Sequence, residues 1–140
     1  MIAQRWLTSC LTTGYVHLLS GAYVTLTDRP MALPMLRENV DRNSVQNVRV
    51  RELTWGQKTL DEFWRQYDVV LGADIVYIEE TFEDLLDTVD RLSDDRTLVI
   101  LSCLIRYERD LRFLDMLRTR FDVQLVHRKR DVKIFTARKL

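Results

Sequence analysis

Apolar positions along this chain recur with two periods, and segments of the two kinds alternate. The stretch "AYVTLT" (22–27) is rich in β-forming residues and ends at Asp28. "RPMALPMLRENVDRN" (29–43) reads as a helix: Pro30 suits a first turn, and Leu33, Leu36 and Val40 share one face. "NVRVREL" (47–53) alternates with period two, as a strand with one wetter face does, and a loop with Thr54, Trp55 and Gly56 follows. "DVVLGA" (68–73) is a second apolar strand that breaks at Gly72 and leads into Asp74 and Tyr77.

The second half continues the alternation. "TFEDLLDTVDRL" (81–92) is an amphipathic helix with Phe82, Leu85, Leu86 and Val89 as its stripe, and Thr81 with Asp84 forms a capping-box start signal. "RTLVILSC" (96–103) has the continuous apolar core of a central parallel strand. "RYERDLRFLDMLRTRF" (106–121) is a helix with Phe113, Leu114, Leu117 and Phe121 inward and Glu108 placed to pair with Arg112. "VQLVHR" (123–128) and "DVKIFTAR" (131–138) are two strands with almost no connection, so they form an antiparallel hairpin. The order predicts an α/β protein: a Rossmann-like parallel sheet with helices on both faces and a C-terminal antiparallel hairpin.

In such sheets ligands lie at the carboxyl ends of the strands. Asp28, Trp55 and Asp74 fall there. An acid just after one strand is placed to accept two ribose hydroxyls, an aromatic after the next can lie against a base, and an acid after the third can meet the reacting end. Plainer roles stand beside these. Asp28 suits a helix cap. Trp55 suits a half-buried loop aromatic, Asp74 a turn, and Tyr77 a packing ring with a wet hydroxyl. Glu79 and Glu80 read as early helix acids, Phe63 and Trp64 as packing for a surface helix, His127 as a structural strand residue and Cys103 as core. The Arg-rich helix of 106–121 reads as a solvated face that can also help dock an acidic partner surface.

Composition narrows the function classes. The chain has 140 residues, one domain by length, with 21 basic and 21 acidic residues mixed along it. That balance argues against a general nucleic-acid or membrane-surface binder. No apolar run approaches the roughly 18 residues of a membrane span, so neither nucleic acid nor membrane is an expected partner. Two distant cysteines, Cys10 and Cys103, fit no metal spacing and point to a reducing compartment, the cytoplasm.

The segments "GAYVTLTDRPMALPMLRENV", "ELTWGQ", "LGADIVYIEETFEDLL" and "IRYERDLRFLDML" resemble the seven-strand, S-adenosylmethionine-dependent class I methyltransferases. More narrowly, they resemble the methyltransferase-like protein-lysine methyltransferases, in the subgroup that acts on heat-shock-seventy type chaperones. The similarity runs from about Gly14 to the C-terminus. It implies S-adenosylmethionine as cofactor, a chaperone lysine as acceptor and no metal, because the sulfonium carries its own leaving-group charge. It also implies that Asp28 takes the ribose hydroxyls, Trp55 packs beside the adenine, and the Ala73 backbone lines the adenosine pocket. Asp74 and Tyr77 correspond to the family's D-x-x-Y motif beside the target lysine.

One part of the family pattern is not met. The family's first strand begins with an acid and leads into a glycine loop, whose glycines let the backbone approach the methionine end of the cofactor. At the corresponding residues, 7 to 13, the chain reads "LTSCLTT". The expectation is therefore a single domain over 1–140 with a divergent segment at 1–13, lacking the first strand and the glycine loop. "MIAQRWL", with Gln4 and Arg5, reads as a poor buried strand. Such a chain is expected to be a shortened product (an alternative transcript, a misjoined gene model or a decayed copy) that binds the cofactor weakly or not at all. A non-catalytic, chaperone-interacting fragment is the alternative function.

Overall fold

Seven strands, in the order β3-β2-β1-β4-β5-β7-β6, form one mixed sheet in the computed structural model of the protein. The structure describes residues 5–9 (backbone only), 21–44, 46–58, 67–105 and 107–140. The strands are β1 (Arg5–Ser9), β2 (Tyr23–Asp28), β3 (Val48–Glu52), β4 (Val69–Ala73), β5 (Leu98–Leu104), β6 (Phe121–Lys129) and β7 (Val132–Lys139). Among the described residues the helices are α1 (Leu33–Arg42), α2 (Phe82–Leu92) and α3 (Glu108–Arg118). Strands β1 to β5 run parallel to one another, while β7 pairs antiparallel with both β5 and β6. The expected Rossmann-like sheet and C-terminal hairpin are therefore present.

The expected loss of the first strand is overturned. Arg5–Ser9 lies in the middle of the sheet, with Trp6 opposite Val24 on one side and Val69 on the other. The reason lies in backbone accounting. A gap there would leave the inner edges of β2 and β4 unpaired, and buried amides demand partners whatever their side chains. The strand begins at Arg5, so the polar residue that argued against it is at its end, while Trp, Leu and Thr, which follow, suit a strand. Leu7–Ser9, expected in the glycine-loop position, belong to this strand, and the rest of that position lies outside the described residues, as do Cys10, His17, Phe63 and Trp64.

The register explains why the helices divide between two faces. Val24 and Leu26 of β2 lie beside Val48 and Val50 of β3. With Ala22 they form one cluster with Leu33 and Leu36 of α1, flanked by Val40. Val70, Val99, Leu101 and Cys103 point the other way. There they pack with Phe82, Leu85, Leu86, Val89 and Leu92 of α2, and with Phe113 and Leu117 of α3. Phe82 and Phe113 meet with ring centroids 5.3 Å apart. At about 25 cal/mol per Å² of apolar area removed from water, this second cluster is the larger source of stability.

Three local expectations are corrected. Thr81 does not cap α2 through its side chain. A short 3-10 turn over Glu79–Thr81 precedes the helix, so Thr81 is already turned (φ −100°, ψ 1°) rather than extended, and its hydroxyl donates back to the Ile78 carbonyl at 2.8 Å. Arg112 pairs with Glu79 rather than with Glu108. Phe121 is buried as expected, but as the first residue of β6 rather than the end of α3.

Candidate active site at the carboxyl ends of the strands

Parallel pairing brings the ends of β2, β3, β4 and β5 to one side of the sheet. Asp28 stands opposite Glu52, and Ala73 opposite Ser102. The antiparallel β7 starts there too, because Val132 lies opposite Leu104. The turn between β6 and β7 therefore sits at the same end as the ends of the parallel strands, and the Ile105 N–H donates to the Asp131 carbonyl at 3.2 Å.

Asp28 is half-buried at the tip of β2. Its Oδ1 accepts the Arg29 N–H at 2.8 Å, and its carbonyl accepts the Leu53 N–H at 2.9 Å. No side-chain cap bond is made at the turn that leads into α1, so the capping role is not taken up. Among the described residues nothing donates to Oδ2.

Trp55 lies in a loop pinned from beneath. Leu53 is buried, the Gly56 N–H donates to Thr88 Oγ1 at 3.0 Å, and the Arg91 guanidinium donates to the Gln57 and Lys58 carbonyls at 2.9 and 3.0 Å. Gly56 has φ +75°, and a Cβ there would collide with the Asp84 carboxyl, so glycine is required at this close approach. The Trp55 side chain is half-buried against the α2 core cluster. The plainer expectation for this residue is thus met.

The D-x-x-Y segment has a definite shape. Asp74 adopts φ +54°, a left-handed conformation that aspartate tolerates better than most residues. Its N–H donates to the Ser102 carbonyl at 2.8 Å, which continues the β4–β5 pairing one residue beyond the strand. Ile75 and Val76 then turn into the core, while Asp74 is exposed and Tyr77 is 50% exposed. Two apolar anchors thus hold two polar side chains outward. Ala73, half-buried, is the last residue of β4. Gly72 is different: the place of its missing Cβ is filled by Ile75 and Leu101, the latter 2.9 Å away. Its smallness serves the protein's own core rather than a passing ligand.

Further groups surround the segment. Glu79 receives a two-pronged bond from Arg112, Nη1 to Oε1 at 2.7 Å and Nη2 to Oε2 at 3.0 Å, which ties the turn after Tyr77 to α3. Tyr107, 59% exposed in the loop after β5, carries the Arg109 guanidinium 4.6 Å from its ring centroid. Its N–H is held by Asp110 Oδ2 at 3.0 Å. The sequence reading missed Tyr107, although its position just past a strand end was the available signal. Cys103 lies beneath, its thiol pushed up to about 12 by burial and then by the charges of Asp74 and Asp110. It is core, as expected. Among the described residues no group of three or more His, Cys, Asp or Glu is arranged to hold a metal ion, and no helix is long and apolar enough to cross a membrane.

Asp28, Ala73, Asp74 and Tyr77 thus share one end of the sheet. Comparison with known proteins adds the following. A family model described as lysine methyltransferase matches residues 11–120. The chain is 53% identical over 131 residues to protein N-lysine methyltransferase METTL21A of Danio rerio, covering 89% of this chain and 60% of that protein. It is 38% identical over 125 residues to EEF1A lysine methyltransferase 3 of Xenopus tropicalis, covering 86% of this chain and 55% of the relative. Among solved structures, the DhpI-SAH complex superposes with a TM-score of 0.76 at 17% identity, over 98% of this chain and 77% of that one. A precorrin-6y C5,15-methyltransferase from Geobacter metallireducens gives 0.70 at 18% identity, over 99% and 81%. These two likenesses are of fold. The chain spans about 60% of the length of the METTL21A proteins it matches. On the family match and the curated relatives together, this chain belongs to the lysine methyltransferase family.

Proposed function

We propose that this protein takes part in methyl transfer to the ε-amine of a lysine in a protein substrate of the heat-shock-seventy chaperone type, in the cytoplasm. The observation that carries the reading is the D-x-x-Y segment, whose left-handed Asp74 and buried Ile75 and Val76 hold a carboxylate and a phenol outward at the strand ends. S-adenosylmethionine, when bound, supplies an electrophilic methyl group. The residues present suit its nucleoside half: Asp28 keeps a carboxylate oxygen without a partner among the described residues, and the small side chain of half-buried Ala73 ends β4 at the same edge of the sheet. Trp55 is the aromatic assigned to the base.

The acceptor chemistry follows from the side chains. A lysine ammonium has an ordinary pKa of about 10.4, and only its neutral form attacks. Asp74, exposed to water, attracts and orients the ammonium, but a nearby negative charge favours the protonated form. Release of the proton therefore needs water to be excluded when the substrate closes over the site. The Tyr77 ring supplies an apolar wall for that step, and alignment supplies the rest.

A second reading, a non-catalytic chaperone-binding protein, is favoured by one observation, the sequence "CLTT" directly after β1, which lacks the glycines that the family has there. The two separate in one experiment. The protein is incubated with methyl-labelled S-adenosylmethionine and a heat-shock-seventy chaperone, and lysine methylation is read by peptide mass spectrometry. Cofactor binding is titrated by calorimetry in parallel. Methyl on a chaperone lysine, lost in Asp74→Asn and reduced in Tyr77→Phe, supports the first reading. Chaperone binding with neither cofactor binding nor methylation supports the second. Methylation confined to a small molecule or nucleic acid would refute both.

A further inference from the structure

The tip of the β6–β7 hairpin is a basic surface that the proposed chemistry does not use. Arg128, Lys129 and Arg130 are exposed, Lys133 is half-exposed, and none of the four makes an ion pair among the described residues. Two features there run against the needs of the fold. Arg128 lies directly opposite Lys133 across the antiparallel pair, a like-charge placement that destabilises a sheet. Arg130 takes φ +55°, a conformation that suits glycine or asparagine better than arginine. Beside the cations, Leu125, Val126 and Val132 are 52%, 55% and 40% exposed, and the register shifts between Leu125 and His127. Such local violations are expected where a surface serves binding.

The position of the tip gives it a purpose. Ala73, Ser102 and Ile134 lie in one row across β4, β5 and β7, and Cys103 lies opposite Lys133 in the next, so Asp74 and Lys133 are at the same level two strands apart. Two strand spacings amount to about 10 Å, and Arg128, one strand further, lies at about 15 Å. An extended chain covers those distances in about three to five residues.

We propose that Arg128, Lys129, Arg130 and Lys133 dock an acidic segment of the protein substrate, placing acidic residues about three to five positions from the lysine that enters at Asp74 and Tyr77. This rests on the reading of Asp74 and Tyr77 as the acceptor site. A protein segment fits better than nucleic acid because the chain as a whole has no net charge and belongs to a protein-modifying family. Opposite charges across such an interface set specificity and encounter rate.

The test uses two fluorescein-labelled peptides with a central lysine and either glutamate or glutamine at those positions. Binding is followed by anisotropy at low and high salt for the full chain and for the variant Arg128→Gln/Lys129→Gln/Arg130→Gln/Lys133→Gln. The full chain should bind the glutamate peptide about tenfold more tightly, and salt should erase the difference. The variant should bind both peptides equally, with a melting temperature no lower than that of the parent, since it removes a like-charge pair. Equal binding of the two peptides by the full chain, or an unchanged preference in the variant, overturns the proposal. Tighter binding of a single-stranded RNA than of the glutamate peptide, lost in the same variant, also overturns it. Methyl transfer to the bound peptide is measured separately. Its absence despite selective peptide binding and cofactor binding by calorimetry would refute the acceptor-site reading and leave the docking surface standing.

Discussion

Replacing Gly72 by Ala tests whether the protein's core or a ligand sets the size of that residue. Gly72 is buried in β4, and its φ is not left-handed, so alanine meets no backbone strain. The difficulty is space. An added Cβ would lie 2.9 Å from Leu101 Cδ2 and deeper still into Ile75 Cδ1, whereas carbon atoms rest at about 3.5–4.0 Å. Leu101 is 1% exposed and Ile75 8%, so neither can swing into solvent. Overpacking of this kind costs about 1–3 kcal/mol. Alanine returns about 0.4–1 kcal/mol by restricting the unfolded chain, which at the midpoints of the two ranges leaves a net loss of about 1.3 kcal/mol. For a chain of this size that is a fall of about 3–6 °C in melting temperature, read by thermal unfolding without cofactor. Ile75→Val removes the atom that lies deepest in the clash. Alone it should cost about 0.5–1.5 kcal/mol, but in the Gly72→Ala background its cost should fall by about 1 kcal/mol, since contacting residues couple. An unchanged melting temperature for Gly72→Ala, with cofactor binding abolished, would refute the packing account and restore the ligand as the cause.

Three more predictions follow from the same structure. Arg112→Lys keeps a charge but loses the two-pronged bond to Glu79, so stability should change by less than about 1 kcal/mol, as for an exposed pair, while methyl transfer falls severalfold at saturating substrate; unchanged turnover would exclude a positioning role. Asp94, whose carboxyl accepts the N–H of Arg96 at 2.8 Å and of Thr97 at 3.0 Å, is held below the ordinary carboxylate range chiefly by the Arg96 bond. Its contribution is therefore complete above that range and disappears as pH falls through the lowered value. Asp94→Asn should cost about 1 kcal/mol at pH 7, with the gap to the parent closing in strongly acidic buffer; a gap independent of pH would contradict this. Cys103 should resist iodoacetamide in the native protein, since a thiol pushed up to about 12 and 2% exposed offers almost no thiolate, and should react on unfolding. Rapid native labelling at Cys103, located by mass spectrometry, would contradict its burial.

The parts of the fold that the sequence made legible are those with a strong period. The stripes of α2 and α3 and the apolar runs of β4 and β5 were readable because burial imposes spacing. Strand β1 was not readable, because its pairing is a demand of β2 and β4 on the backbone rather than a pattern in residues 5–9. Pairs chosen between distant segments were equally silent: Arg112 had a good partner four residues away in Glu108, and the structure gives it Glu79. Local spacing lists the candidates, and tertiary placement selects among them.

The D-x-x-Y segment combines both kinds of information. Residue types and their position after an apolar strand marked Asp74 and Tyr77, but not the means by which they are held. That means is compound: a left-handed Asp74 fixed by the Ser102 carbonyl, two buried apolar residues as anchors, and Gly72 leaving the room that Ile75 fills. The glycine supports the segment all the same, because without it Ile75 could not turn inward and Tyr77 would lose the anchor that keeps it outward. A residue buried in the core can thus set the geometry of exposed side chains two and five positions on. The coupling between Gly72→Ala and Ile75→Val should accordingly extend to methyl transfer: an Asp74–Tyr77 site displaced in the single variant should be partly restored in the double.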